Sequence, residues 1–388
     1  MERTRRVTLV VVDPDGTVRG VTSPLTISPP WWQEVGSIAA AVPGTTVLRL
    51  LEGTPDETGH MGGEVTYLVQ HDDRLGPCPP LQPWAGELVD HPLRLPWARP
   101  GGPAADLDWV GSVVEVVGPP RQDRTWNLSA IWSIPAVVDG DRTTVWLKCV
   151  PPFFAHEANV LRLLDDRPLP RVIAAADHRI LLAELPGEDG YDAGEAEQRS
   201  MVETLVHTQA ASADRIDRLL AAGVPDHRAE PLTVALTELV ARLAPDRDGL
   251  RLLVAQLPDR FAAVAATGLP DTIVHGDPHG GNCRRGTDPP IWFDWGDSTI
   301  GNPLLDLAAT HRMADTTVRH WVDRWRQVVP GADPTSAWLA LEPVARLREA
   351  WVYQRFLDNI EPAERCYHHR DVPAALDQAE AAVVSWTG

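Results

Sequence analysis

Lysine is almost missing from this chain. Of its 35 basic residues, 34 are arginine, and Lys148 is the single lysine. Basic residues of either kind are outnumbered by 54 acidic ones, for a formal net charge of −19. That balance excludes a nucleic-acid backbone as partner, because binding it relies on clustered Lys and Arg. Cysteine is scarce too: Cys78, Cys149, Cys283 and Cys366 are scattered and form no C-x-x-C pair. The spacing points to reduced thiols rather than a disulfide framework or a zinc motif. No stretch approaches the about eighteen apolar residues of a membrane span. The apolar run before Asp13-Pro14-Asp15-Gly16 is too short for a secretory signal, so a cytoplasmic protein without a membrane partner is expected. No G-x-x-x-x-G-K-[ST] loop occurs, which excludes that route to nucleotide binding. The sequence carries no repeat and no signal for an oligomeric state.

What is present is an ordinary globular composition, 44% apolar and 23% charged over 388 residues, with room for two or three domains. In residues 1–103, strands Val7–Val12 and Val18–Val21 flank the Asp13–Gly16 turn signal. Apolar spacing from Trp31 to Val42 predicts a helix, and 47–51 and 65–70 read as strands. A Pro-, Gly- and Trp-rich stretch, 76–103, marks a boundary. Residues 104–187 read as a helix over 105–117, strands at 126–135 and 143–149, a helix after Pro151-Pro152, and strands at 172–175 and 180–185. From 188 to 388 the pattern is helical, at 196–212, 232–243, 250–267, 303–313, 318–328, 336–357 and 373–386, interrupted by one hairpin. Three parts follow: an accessory α+β domain (1–103), a β-rich lobe (104–187) and a helical lobe carrying the hairpin (188–388).

That hairpin holds the chemistry. Asp277 follows the apolar strand Ile273-Val274, Asn282 comes five residues later, and Asp294 ends the strand Ile291-Trp292-Phe293. Phosphoryl transfer needs a carboxylate that can take a hydroxyl proton, and an amide and a carboxylate to hold magnesium. Magnesium takes hard oxygen ligands and keeps several waters, so Asn282 and Asp294 with nucleotide phosphates suffice. Upstream, Lys148 closes the run Thr143–Leu147, with Glu157 nine residues beyond on the next helix. A compact ammonium set by a carboxylate is what nucleotide-dependent kinases aim at phosphates.

The string His275-Gly276-Asp277-Pro278-His279-Gly280-Gly281-Asn282, the pair Asp294-Trp295 and the tail Gly301-Asn302-Pro303-Leu304-Leu305-Asp306 together resemble the aminoglycoside phosphotransferase and choline kinase superfamily, over roughly residues 105–388. The resemblance implies an α+β, protein-kinase-like two-lobed fold, here with an extra N-terminal α+β domain. It implies ATP and Mg2+ as cofactors. Asp277 would be the catalytic base, Asn282 and Asp294 the metal ligands, and Lys148, paired with Glu157, the phosphate contact. Main-chain groups of Ala183 and Leu185 would meet the adenine edge. His275 and His279 would brace the loop, and Asp306 would steady it from the following helix. Two positions depart from the family's usual pattern. Pro120–Ile131, where a loop should cover the phosphates, contains no glycine, and Cys283-Arg284-Arg285 replaces apolar residues.

The expected activity is transfer of the γ-phosphate to a hydroxyl of a small molecule: an aminoglycoside, an amino sugar or a similar alcohol. Residues 188–230, with ten acidic and four arginine side chains, are either a solvated surface or a wall that attracts a cationic substrate. Two rivals stand beside this reading. One is an inactive nucleotide-binding pseudokinase module. The other is a metal-dependent phosphohydrolase using His275-x-Asp277-x-His279 as ligands.

Overall fold

The structure is a computed structural model, and it describes residues 4–28, 31–56, 59–312 and 315–383. The ends predicted for two helices, Met313 and Trp386, lie outside those residues. The chain forms two compact units: residues 1–153, 172–184 and 357–369 in the first, and 154–171, 185–356 and 370–388 in the second.

The first unit opens with a sheet made of β1 (Arg5–Val12), β2 (Val18–Thr22), β3 (Leu25–Ile27), β4 (Thr45–Asp56), β5 (Gly59–His71) and β6 (Leu81–Gln82), in the order β4-β5-β1-β2-β6 with β3 beside β1. Gly16 has φ 89°, and Asp13 N–H bonds Thr17 O at 2.9 Å, so the predicted β1–β2 turn closes as its residues require. β1 and β5 run parallel, a pairing that needs a crossover. The short helix α1 (Gly36–Ala41) and β4 supply it. The helix predicted from Trp31 is therefore much shorter than expected, because Trp32 and Val35 enter the core from the chain before it. Val7, Leu9 and Val11 face one apolar cluster with Trp32 and Tyr67, while Val10 and Val12 face another with Leu48 and Leu68. A sheet covered on both faces explains the unbroken apolar run of β1.

A second sheet follows helix α2 (Gly102–Val113). It contains β7 (Glu115–Val116), β8 (Arg121–Thr125), β9 (Ala130–Val138), β10 (Asp141–Cys149), β11 (Val172–Ala176) and β12 (Arg179–Ala183). Its order is β11-β12-β10-β9-β7, with β8 paired to β9. On β10 the period of two sends Val145, Leu147 and Cys149 into the core with Trp97, Val110 and Trp132. Lys148 faces the other way, between Ile131 and Ile180 in register. β8, which the sequence reading passed over, stitches the two sheets together. Gln122 both donates to Val47 O (2.8 Å) and accepts from Val47 N–H (2.9 Å). Residues 357–369 complete this unit: Tyr367 joins the first sheet's core, and Glu364 accepts from Leu50 N–H at 3.1 Å.

The second unit begins with α3 (Glu157–Leu163) and β13 (Glu188–Asp189). The helices α4 (Glu195–Ser212), α5 (Ile216–Ala221), α6 (Ala229–Leu243) and α7 (Asp248–Ala266) follow. Four short strands come next: β14 (Thr272–Val274), β15 (Cys283–Arg285), β16 (Ile291–Trp292) and β17 (Thr299–Gly301). The helices α8 (Asp315–Val328), α9 (Pro334–Asn359) and α10 (Asp371–Val383) end the chain. Residues 303–312 form a 3-10 stretch rather than the expected α-helix, turned in so that Asp306 points at the loop after β14. β15 pairs with both β13 and β16, which closes the predicted hairpin. Among the described residues, no helix is long and apolar enough to cross a membrane.

Candidate active site

β14 is buried throughout and delivers the chain to His275. At Gly276 the backbone has φ 94°, and a Cβ would lie 2.3 Å from the Asp297 carbonyl oxygen, so a side chain cannot be accommodated. Asp306 holds this turn from the far side. Its carboxylate accepts the backbone N–H groups of His275 and Gly276, both at 2.8 Å, and the Gln209 side-chain amide at 2.7 Å. Burial pushes the Asp306 carboxyl up to about 6, although the two backbone donors and Arg348 favour its charge.

The two histidines complete the brace. His275 is fully buried against Trp292 and Trp295. Its Nε2 donates to Phe293 O at 3.1 Å and its Nδ1 accepts from Asp277 N–H at 3.3 Å. Those roles need the neutral ring, and burial lowers its pKa to about 4. His279 Nδ1 accepts from Gly281 N–H at 3.0 Å, so the proton sits on Nε2, which faces Asp277 Oδ2 at 3.3 Å. Both rings thus spend both nitrogens inside the loop.

Asp277 itself is open, its side chain 48% exposed. Desolvation by the packed loop would raise its carboxyl. The hydrogen bond and charge of His279 outweigh that, and the group lies below its ordinary value. Asn282 Nδ2 donates to Asp277 O (3.0 Å) and Oδ2 (3.2 Å), so its amide oxygen is the atom that could take a metal ion. Asn282 O accepts from Phe293 N–H at 2.9 Å and so ties the loop to the residue before Asp294. Asp294 sits at φ 62°, ψ 62°, a left-handed conformation that aspartate tolerates better than most residues. Its negative charge disfavours ionised Asp277 and favours protonated His275, so it raises both groups. The next residue is pinned: Trp295 N–H donates to Glu157 Oε1 at 3.2 Å, with Glu157 1% exposed on α3.

Asp277, Asn282, Asp294 and Glu157 therefore share one hydrogen-bonded neighbourhood in the second unit. Lys148 and Ala183 lie in the first unit, Lys148 7% exposed on β10 and Ala183 at the end of β12. Leu185 is the first residue past the unit boundary. Two neighbours were not foreseen. Tyr191, 64% exposed, stacks on His279 with centroids 5.9 Å apart, and Gln209 bonds Asp306 across 97 residues. Neither carries a periodic or spacing signal that a linear reading could use.

Several solved kinases have the same fold. Choline kinase LicA from Streptococcus pneumoniae is 11% identical and covers 73% of this chain and 99% of its own, with a TM-score of 0.53. A choline/ethanolamine kinase family protein from Mesorhizobium loti (14% identical, 72% and 99% covered, TM-score 0.50) and a macrolide 2'-phosphotransferase type I (16% identical, 72% and 96% covered, TM-score 0.51) are similar to it as well. The α+β, protein-kinase-like fold expected from the motifs is thus the fold found, and the class is that of the small-molecule phosphotransferases. A sequence model of the phosphotransferase enzyme family matches residues 137–339, just over half of the chain, and the chain belongs to that family. No curated protein matches it.

Proposed function

We propose that this protein transfers the γ-phosphoryl group of ATP to a hydroxyl of a small molecule. The observation that carries the proposal is the loop after β14, where a half-exposed carboxylate is hydrogen-bonded to Asn282 and His279 and lies within reach of Asp294's charge. Asp277 is the proposed base: its low pKa keeps it ionised at neutral pH, ready to orient an acceptor hydroxyl and take its proton. The His279 and Asn282 bonds fix its rotamer, which is the positioning part of the rate enhancement.

The donor set fits Mg2+, since an amide oxygen on Asn282 and a carboxylate on Asp294 are hard ligands and no histidine nitrogen is left to compete. When bound, that ion would neutralise charge on the transferring phosphates. Lys148 is proposed as the ammonium for the phosphates, with Glu157 as its carboxylate and the main chain of Ala183 and Leu185 for the adenine edge. Residues 1–103 are proposed as an accessory domain, 104–187 and 188–388 as the two kinase lobes.

For the acceptor, an amine-bearing alcohol such as an aminoglycoside, an amino sugar or choline is the favoured class. The carboxylates bearing on Asp277 include Asp294, Glu349 and Asp306. In the acidic stretch 188–230, by contrast, Glu195, Glu197 and Asp226 are tied to Arg199, Arg285 and Arg228. The decisive measurement is ADP release from purified protein with ATP and Mg2+ across aminoglycosides, macrolides, choline and ethanolamine, with mass spectrometry of the products. Turnover that adds one phosphoryl group to one of these acceptors supports the proposal. Tight nucleotide binding without turnover of any compound would favour the pseudokinase reading. ATP-independent phosphate release lost on chelation would favour the hydrolase.

A further inference from the structure

Among the described residues outside the loop after β14, carboxylates meet histidines at Asp73–His71, Glu203–His320 and Asp106–His178, and only at the last are the carboxylate and a neighbouring thiol both buried. Asp106 on α2, Cys149 at the end of β10 and His178 in the turn between β11 and β12 bring one ligand atom each to within 4.8 Å of one another. Asp106 Oδ1 lies 2.9 Å from His178 Nε2, and Asp106 Oδ2 lies 3.4 Å from Cys149 Sγ. Asp106 is 2% exposed and Cys149 0%, while the His178 side chain is 18% exposed.

As hydrogen bonding alone, this arrangement is thin. A buried carboxylate needs several good donors to offset its lost hydration. Asp106 has one imidazole, one weak thiol donor, and Arg179 Nε at 4.0 Å, which makes no hydrogen bond among the described residues. We propose that Asp106, Cys149 and His178 form a binding site for a divalent transition ion of the zinc class. Thiolate, imidazole and carboxylate are the ligand types such an ion selects, with a fourth position left for water on the open His178 side. Bond lengths of about 2.0–2.3 Å at tetrahedral angles separate the ligand atoms by roughly 3.4–3.6 Å. The 3.4 Å spacing of sulfur and Oδ2 already matches, and His178 Nε2, 2.9 Å from Oδ1, would shift to close the tetrahedron as the ion binds. Binding forms a metal–sulfur bond and releases the Cys149 thiol proton to solvent. The ion with one thiolate and one carboxylate is then neutral, a charge state that a buried site tolerates.

The three ligands come from three elements. Their backbones are already registered: Val150 N–H bonds His178 O at 2.8 Å, and Cys149 pairs with Arg179 across the sheet. A bound ion would join α2, β10 and the β11–β12 turn at one point, directly after Lys148. The linear spacing of 106, 149 and 178 matches no metal motif.

The test uses the full chain loaded with Co2+ or Zn2+, freed of excess metal by gel filtration. One retained equivalent is expected, and with Co2+ a thiolate-to-cobalt charge-transfer band. Cys149→Ser should abolish that band, His178→Ala should weaken retention at least tenfold, and Cys283→Ser should change neither. Zn2+ should raise the Tm of the parent and leave that of His178→Ala where it was. The proposal is overturned if no ion is retained, or if the band survives in Cys149→Ser. His178 is partly exposed on a turn, so its alanine variant provides a folded comparison should Cys149→Ser misfold.

Discussion

Asp277 and Asp106 each lie within hydrogen-bonding distance of a histidine Nε2, yet one carboxylate is half-exposed and the other is buried. The Asp277 side chain is 48% exposed and that of Asp106 3%. Around Asp277 the backbone of His275 and Gly276 is held by Asp306, His275 bonds Phe293 O, and Asn282 donates to Asp277 itself. Around Asp106 the nearest partners are a thiol and an imidazole, soft and borderline ligand types, with the Arg179 guanidinium at 4.0 Å. Exposure and partner type, rather than the carboxylate itself, separate a group fit for catalysis from one fit for holding an ion.

The sharpest way to break this contrast is Asp277→Asn. It keeps the shape and should lower kcat by about 10²–10⁴ with nucleotide affinity nearly unchanged. A variant turning over at the parental rate would remove Asp277 from the chemistry. Next in size is Asp306→Ala, which strands the buried donors of His275, Gly276 and Gln209. Chemical denaturation should show a loss of about 4 kcal/mol, and a loss below 1 kcal/mol would mean the loop is held elsewhere.

Glu364, in the first unit, tests burial without chemistry. Burial raises its carboxyl to about 7, so the folded state binds its proton more tightly than the unfolded chain does. Stability from this group is full below about pH 4.5 and drains away as pH rises to about 7. Glu364→Gln should therefore stabilise by up to ~3 kcal/mol at pH 8 and by little at pH 4.5, as read from Tm against pH. An equal effect at both pH values would refute the assignment. The smallest effect belongs to His279→Ala. Without its donor the Asp277 carboxyl rises, so the acid limb of kcat/KM should move to higher pH while the rate at pH 8 falls less than about tenfold.

The proposed site residues could be picked out together because phosphoryl transfer calls for particular residue types at short range. Asp277, Asn282 and Asp294 lie on one hairpin, and strand periodicity around them survives in any fold that uses them. Asp306 was legible from its motif. Its three hydrogen bonds were not, because Gln209 arrives from a helix 97 residues away. β8 was not foreseen, and α1 is shorter than its apolar spacing predicts, because Gln122 and Trp32 are placed by a neighbouring sheet rather than by local propensity. Residues 357–369 fall between two predicted helices, at 336–357 and 373–386. Tyr367 and Glu364 are core residues only because the chain returns to the first sheet.

By itself the sequence determined the chemistry on offer: one lysine, a loop with oxygen-bearing side chains at fixed spacing, and a glycine at 276 where no Cβ fits. Tertiary structure alone decided which carboxylates stay open, which are buried, and that Asp106, Cys149 and His178 meet at all. Spacing along a chain constrains neighbours within a turn or a hairpin, whereas exposure and long-range partners depend on which faces pack together.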